Sequence, residues 1–259
     1  MKPTLLQRFS EALRSREVRK AMPTDMSSAE LEQLPVEVME VATVSARTMT
    51  VKYLDAMEAE VRDILEPRTV TRTEDGGLSR EVTVGKTEGV AELNLQKVWQ
   101  ALGYEAPDGK EGTLEDLASD VRVKLVVDMN RDMALGFGQW RQAQDVDALD
   151  LFPCFELFRL EERINKRDWH ARWEQAARAV GDEHALRALQ KHKRMVARKD
   201  SPIWEELSRF KTPYPPFDFN SGMWIREVDR DEAVALEVVG EWDRIVPQHR
   251  AFEALKEAA

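Results

Sequence analysis

Cysteine is almost missing from this chain. Cys154 is the only one in 259 residues, so no internal disulfide can form, which fits a reducing compartment or indifference to redox. Histidine is scarce too: His170, His184, His192 and His249 stand in no H-E-x-x-H arrangement and have no cysteine at ligand spacing. His184 and His192, eight residues apart, would sit about 12 Å apart along a helix, too far to share one ion. No apolar run approaches the roughly 20 residues that span a bilayer, and mean hydropathy is −0.51. The opening MKPTLLQRFSEALRSREVRK lacks the apolar stretch of a secretory signal. Positive charge is in the minority, with 38 Lys and Arg against 48 Asp and Glu and a net charge of −10. That balance disfavours wrapping of nucleic acid by the whole surface.

What is present suffices for folding: 42% of residues are hydrophobic and 33% charged, enough apolar material for a core. Helical spacing begins with Leu5, Leu6, Phe9 and Leu13. A second helix start is expected at Ser28, and a long helix from Val36 to Leu65, with Val38, Val41, Ala42, Ser45, Met49, Tyr53, Ala56, Val61 and Leu65 on one stripe. Two alternating runs around EDGG predict a β-hairpin within 67–89, with a flexible polar loop as the alternative. Helix is expected again from Val90 to Leu102, stopped by Gly103, then from a capping pair at Thr113 and Asp116. A short strand is predicted in CFELFRLEE, an amphipathic helix in RDWHARWEQAARAV ended by Gly181, and two short helices meeting near Asp200, Ser201 and Pro202. A strand over Met223–Val228, a helix from Asp229 and a helical tail complete the pattern. The expected class is α+β, predominantly helical, with a helical region over 1–120 followed by a compact module with a small β-sheet over 121–259.

Few residues suggest chemistry. There is no G-x-S-x-G elbow, and Cys154 reads as a small buried hydrophobe. Gly136 and Gly138 lie in a helical pattern with no strand before them, so a phosphate loop is rejected; they instead let a backbone or an aromatic ring come close. Acidic pairs such as Glu161 and Glu162 read as solvated faces. Seven tryptophans, at 99, 140, 169, 173, 204, 224 and 242, carry more information. Trp169 and Trp173, with Arg167 and Arg172 nearby, either pack the core beside the predicted strand or form a partner-binding face. Two basic stretches stand out, residues 1–20 and the acid-free run holding Arg187, Lys191, Lys193, Arg194, Arg198 and Lys199. Each is a solvated helix face or a contact for DNA or an acidic partner. The segment TPYPPFDFNSGMWIREV, with prolines that fix φ and remove donors, predicts a stiff aromatic corner sealed against the Trp169/Trp173 helix.

The order of these features resembles the C-terminal part of the Mu F-like phage head morphogenesis family, the minor head proteins. The resemblance covers roughly 121–240 and rests on Arg167 and His170, Trp204, Tyr214, Pro215, Pro216, Gly222 and Arg226, followed by Arg230, Glu232 and Ala233. The helical VKLVVDMNRDMALGFGQWRQAQ is similar to the helix that precedes the strand in that family. A Cys-Arg-Cys element common in the family is replaced here by MWIRE, which keeps only Arg226. The resemblance implies a non-catalytic virion or procapsid component without a cofactor, working with portal, capsid or scaffold proteins and in some cases with packaged DNA. It also implies a location in the head interior, and in the host cytoplasm during assembly. With only a short tail after the last matching helix, the toxin or transferase domains that some relatives carry are not expected here. Two competing expectations remain: a hydrolase or nucleotide transferase with a site near Arg167 and His170, and a non-viral acidic helical adaptor.

Overall fold

A computed structural model of the chain describes residues 5–66, 68–73, 79–164, 166–251 and 253. It divides into two compact units, Ala12–Ala134 and a second made of Met1–Glu11 with Leu135–Ala259. The architecture is α+β and predominantly helical. The division falls between Ala134 and Leu135, within a helix, rather than at 120/121, where the family resemblance begins. The boundary at 120/121 falls in the first turn of that helix; compactness follows from tertiary contacts, which local pattern does not carry.

The Ala12–Ala134 unit takes in the second part of α1 (Leu5–Glu17), then β1 (Lys20–Ala21), α2 (Ser28–Leu31), α3 (Val36–Val41), β2 (Ala42–Thr43) and α4 (Val51–Leu65). The cap of α2 is Ser27, one residue before the expected start, in a reciprocal capping box with Glu30. The single helix expected over 36–65 does not form. The chain turns extended at Ala42, and β2 runs parallel to β1. Met22 N–H then donates to the Thr43 carbonyl (3.0 Å) and Thr24 N–H to that of Thr48 (2.9 Å). The segment carries Val41, Thr43, Val44 and Thr48, poor helix formers that a neighbouring strand can recruit. Of the expected stripe, Tyr53, Val61 and Leu65 are buried, whereas Val38 and Met49 are exposed.

The hairpin is present: β3 (Arg68–Thr73) pairs antiparallel with β4 (Ser79–Val84), while its EDGG turn lies outside the described residues. Next come α5 (Glu88–Ala101), ended by Gly103 at φ +66°, and α6 (Asp120–Gln142). The cap of α6 is Ser119, whose Oγ accepts from Arg122 N (3.2 Å). Thr113 and Asp116 hold a preceding turn instead, through Lys110 O and Gly112 N. Tyr53, Leu54, Met57, Leu95, Trp99 and Val127 belong to the core of this unit, and Tyr53 stacks on Trp99 at 4.3 Å. Beside them the fully buried Arg16 grips Glu58 with two nitrogens (2.9 and 2.5 Å), and Thr43 and Arg62 donate to the same carboxylate. A buried cation without such a partner would be expelled or unfold its surroundings.

The other unit contains α7 (Val146–Leu151), β5 (Cys154–Arg159), α8 (Trp169–Val180), α9 (Glu183–His192), β6 (Val196–Arg198), α10 (Ile203–Leu207), β7 (Met223–Val228) and α11 (Arg230–Ala235). The two C-terminal strands expected from sequence stand as predicted, with β5 starting at Cys154. A third was missed. The run RMVARK continues a helical pattern on paper, but Lys193 turns left-handed at φ +58° and ends α9. Val196 and Ala197 are then fully buried against β5. The sheet order is β6-β5-β7, antiparallel throughout, with Phe155 opposite both Ala197 and Glu227. Strand β5 is central, and its first four residues are all buried. Edge carbonyls are occupied by side chains: the Trp204 indole donates to Arg198 O (2.8 Å), and Gln139 Nε2 to Ile225 O (3.0 Å). That blunts the edges against pairing with another chain.

Candidate functional site

The proline corner singled out in the sequence packs beside this sheet and brings several of the family-pattern residues together. Thr212 through Asp218 are buried in succession. The Pro215–Pro216 peptide is cis. Helix α6 crosses the corner at Gly136, where a Cβ would stand 1.9 Å from the Pro215 carbonyl oxygen; only glycine permits that approach. At the far end Gly222 has φ +64°, and a Cβ there would lie 2.4 Å from Glu161 O. The left-handed turn and the close neighbour each require glycine.

The aromatic packing differs from the expectation. Tyr214 meets α6, edge-on to Phe137 at 5.6 Å and 5.8 Å from Trp140. Phe219 pairs with Phe210, and the half-buried Trp224 donates to Gln139 Oε1 (2.6 Å). Only Phe217 points toward Trp173, and it does so through Trp204, which lies 6.0 Å from Phe217 and 5.2 Å from Trp173. The corner is therefore shared between α6 and the Trp204 cluster. Ring–ring distances of this kind favour edge and tilted contacts worth about 0.5–1.5 kcal/mol each beyond burial. Trp169 and Trp173 are buried, 3% and 0% exposed, so they are core residues.

Beside the corner lies an ionic cluster that no motif announced. The Asp218 carboxylate, 7% exposed, accepts from Arg172 Nη1 (2.7 Å) and stands 3.4 Å from Arg167 Nε and 3.6 Å from Arg209 Nη1. Arg172 also lies over the Trp169 ring and Arg209 over Phe219. The one hint in the sequence was an acid between two phenylalanines in an otherwise apolar corner. The three guanidiniums around this one carboxylate fix the start of α8 against the corner. His170, one residue into α8, is exposed.

A second cluster ties the strands. Glu156, on the central strand, takes two hydrogen bonds from Arg194 (2.8 and 2.6 Å) and one from Arg226 (2.7 Å), and Arg194 reaches on to Glu232. Burial alone would raise the Glu156 pKa, but the hydrogen bonds from Arg194 and Arg226 outweigh it and hold the carboxyl below its ordinary value. Arg226, kept from the family pattern, is thus an ion-pair partner across the sheet.

The basic run is largely consumed in the same way. Lys191 pairs with Glu237, Arg194 with Glu156 and Glu232, and Arg198 with Asp200. Lys199 is fully buried, bonded to Glu227 (2.9 Å) and set over the Phe155 ring; burial lowers its pKa. Arg187 and Lys193 are exposed. Six basic residues within 187–199 do not form one basic face, because α9, the left-handed turn and β6 send them in different directions. Cys154 is buried at the start of β5, and burial pushes its thiol up to about 12, the setting of an inert thiol.

Among the described residues, no three His, Cys, Asp or Glu side chains gather as metal ligands, and no helix is long and apolar enough to cross a membrane. Comparisons with known protein families, with curated proteins and with solved structures find no match to this chain.

Proposed function

We propose that this chain is a minor head protein of a phage or prophage. In this reading it acts without catalysis in head assembly, by binding portal, capsid or scaffold protein inside the procapsid or virion, and it is made in the host cytoplasm. One observation carries the reading. Residues of the family pattern that lie far apart in sequence, from Arg167 to Arg226, belong to one unit, and all of them but the exposed His170 serve its geometry. Trp204 closes a sheet edge, Tyr214, Pro215 and Pro216 form the corner against α6, and Gly222 makes the left-handed turn before β7. Arg167 faces Asp218, and Arg226 faces Glu156. Such positions hold the shape of a binding module.

The test is mass spectrometry of procapsids and mature particles purified from the host that carries the gene. Recovery of the protein from either supports the assignment, and absence from both ends it. Any direct contact with packaged DNA in the 187–199 run falls to Arg187 and Lys193, since the other cations are paired within the fold.

A further inference from the structure

Six of the seven tryptophans are buried or half-buried, but Trp242 is 86% exposed. It sits on a turn at 240–243 that is fixed from several sides. Gly240 N–H donates to Asp243 Oδ2 (2.8 Å), and Arg230 Nη1 donates to the carbonyls of Glu241 (3.3 Å) and Asp243 (3.1 Å). The same guanidinium binds Asp150 through its carbonyl (2.7 Å) and carboxylate (3.2 Å). Val238, Val239 and Ile245, on either side of the turn, are buried in the core of this unit. A rigid backbone therefore presents a large aromatic ring to solvent, so little conformational entropy remains to be lost on binding. Acids outnumber bases around the ring: Glu241 and Asp243 are exposed and the Asp150 side chain, paired with Arg230, is 80% exposed, against the exposed Arg244 and the largely buried Arg230.

We propose that Trp242, with Glu241, Asp243 and Asp150, is a docking anchor for a Lys/Arg-rich segment of another protein. A cation placed over the indole face is attracted by the ring quadrupole, the neighbouring carboxylates complement the remaining positive charge, and tryptophan is a preferred interface anchor. The inference does not depend on the minor-head assignment.

The test uses the full chain labelled with 5-fluorotryptophan, the Trp242 fluorine resonance being identified by its loss in Trp242→Ala. The probe is a short peptide alternating arginine and serine, with one alternating arginine and glutamate as the neutral control. The Trp242 resonance should shift saturably with the basic peptide and not with the control. Trp242→Ala should weaken binding by about fivefold or more, Trp242→Phe should restore most of it, and Glu241→Gln should weaken it in part. Asp108→Asn, which removes an exposed acid of the other unit, should leave it unchanged. A resonance that does not move, or equal losses in Trp242→Ala and Asp108→Asn, would mean diffuse charge attraction and overturn the proposal. Self-association of the wild type in sedimentation that Trp242→Ala abolishes would make the occupant a second copy, and would overturn it as well.

Discussion

Gly136→Ala should destabilise the Leu135–Ala259 part of the chain, although alanine is the better helix former. In a helix interior the exchange normally gains about 1 kcal/mol. Here the new methyl would stand 1.9 Å from Pro215 O and 2.8 Å from its carbonyl carbon, where real Cβ contacts essentially never fall below 3.0 Å. Both obstructing atoms are backbone, so no side chain can swing aside. The helix and the corner would have to separate by about 1 Å, loosening the contacts of Tyr214 with Phe137 and Trp140. Overpacking of this kind costs about 1–3 kcal/mol and more when backbone must move, so a net loss of about 2 kcal/mol is expected after the propensity gain. Urea unfolding followed by tryptophan fluorescence is the assay, since all the tryptophans but Trp99 lie in this unit. With a typical slope, the midpoint should fall by about 1 M. Gly89→Ala, in α5 with nothing within 4 Å of the new methyl, should be neutral or slightly stabilising. If Gly136→Ala unfolds at the same or higher urea than wild type, the close crossing of helix and corner is wrong.

Glu156→Gln should destabilise by about 1–3 kcal/mol at neutral pH, because Arg194 and Arg226 lose the charge between them. The Glu156 carboxyl is held below its ordinary value of 4.5, so its contribution is present above that pH and lost as pH falls through the lower folded value. The gap between wild type and variant should therefore close under acid, and a pH-independent gap would contradict the ion-pair reading. Cys154, with its thiol pushed up to about 12 and no exposure, should react with a thiol reagent at pH 8 only once denaturant unfolds the chain; rapid labelling of the native protein would refute its burial. If DNA binds through the 187–199 run, log K against log salt should fall with a slope no steeper than about −2, as Arg187 and Lys193 can neutralise about two phosphates. A much steeper slope in a titration, abolished by Arg187→Ala with Lys193→Ala, would mean that the internal ion pairs open on binding.

Much of the fold was legible because local signals and tertiary demands agree there. The hairpin strands, β5, β7, the Gly181 stop of α8 and the Asp229 cap of α11 all carry short-range patterns that the structure keeps. The errors fall where a distant partner decides. The stretch 42–50 has helical spacing but is drawn into pairing with 20–24, and β6 exists because β5 offers it a buried ladder. A stiff aromatic corner with a glycine in it is readable from local sequence, since proline geometry and glycine's access to left-handed backbone are properties of single residues. What that corner packs on, the gathering of arginines by Asp218 and Glu156, and the internal pairing of most of the basic run follow from long-range packing. Electrostatic partners lie tens of residues apart, and charge acts through space, not along the chain.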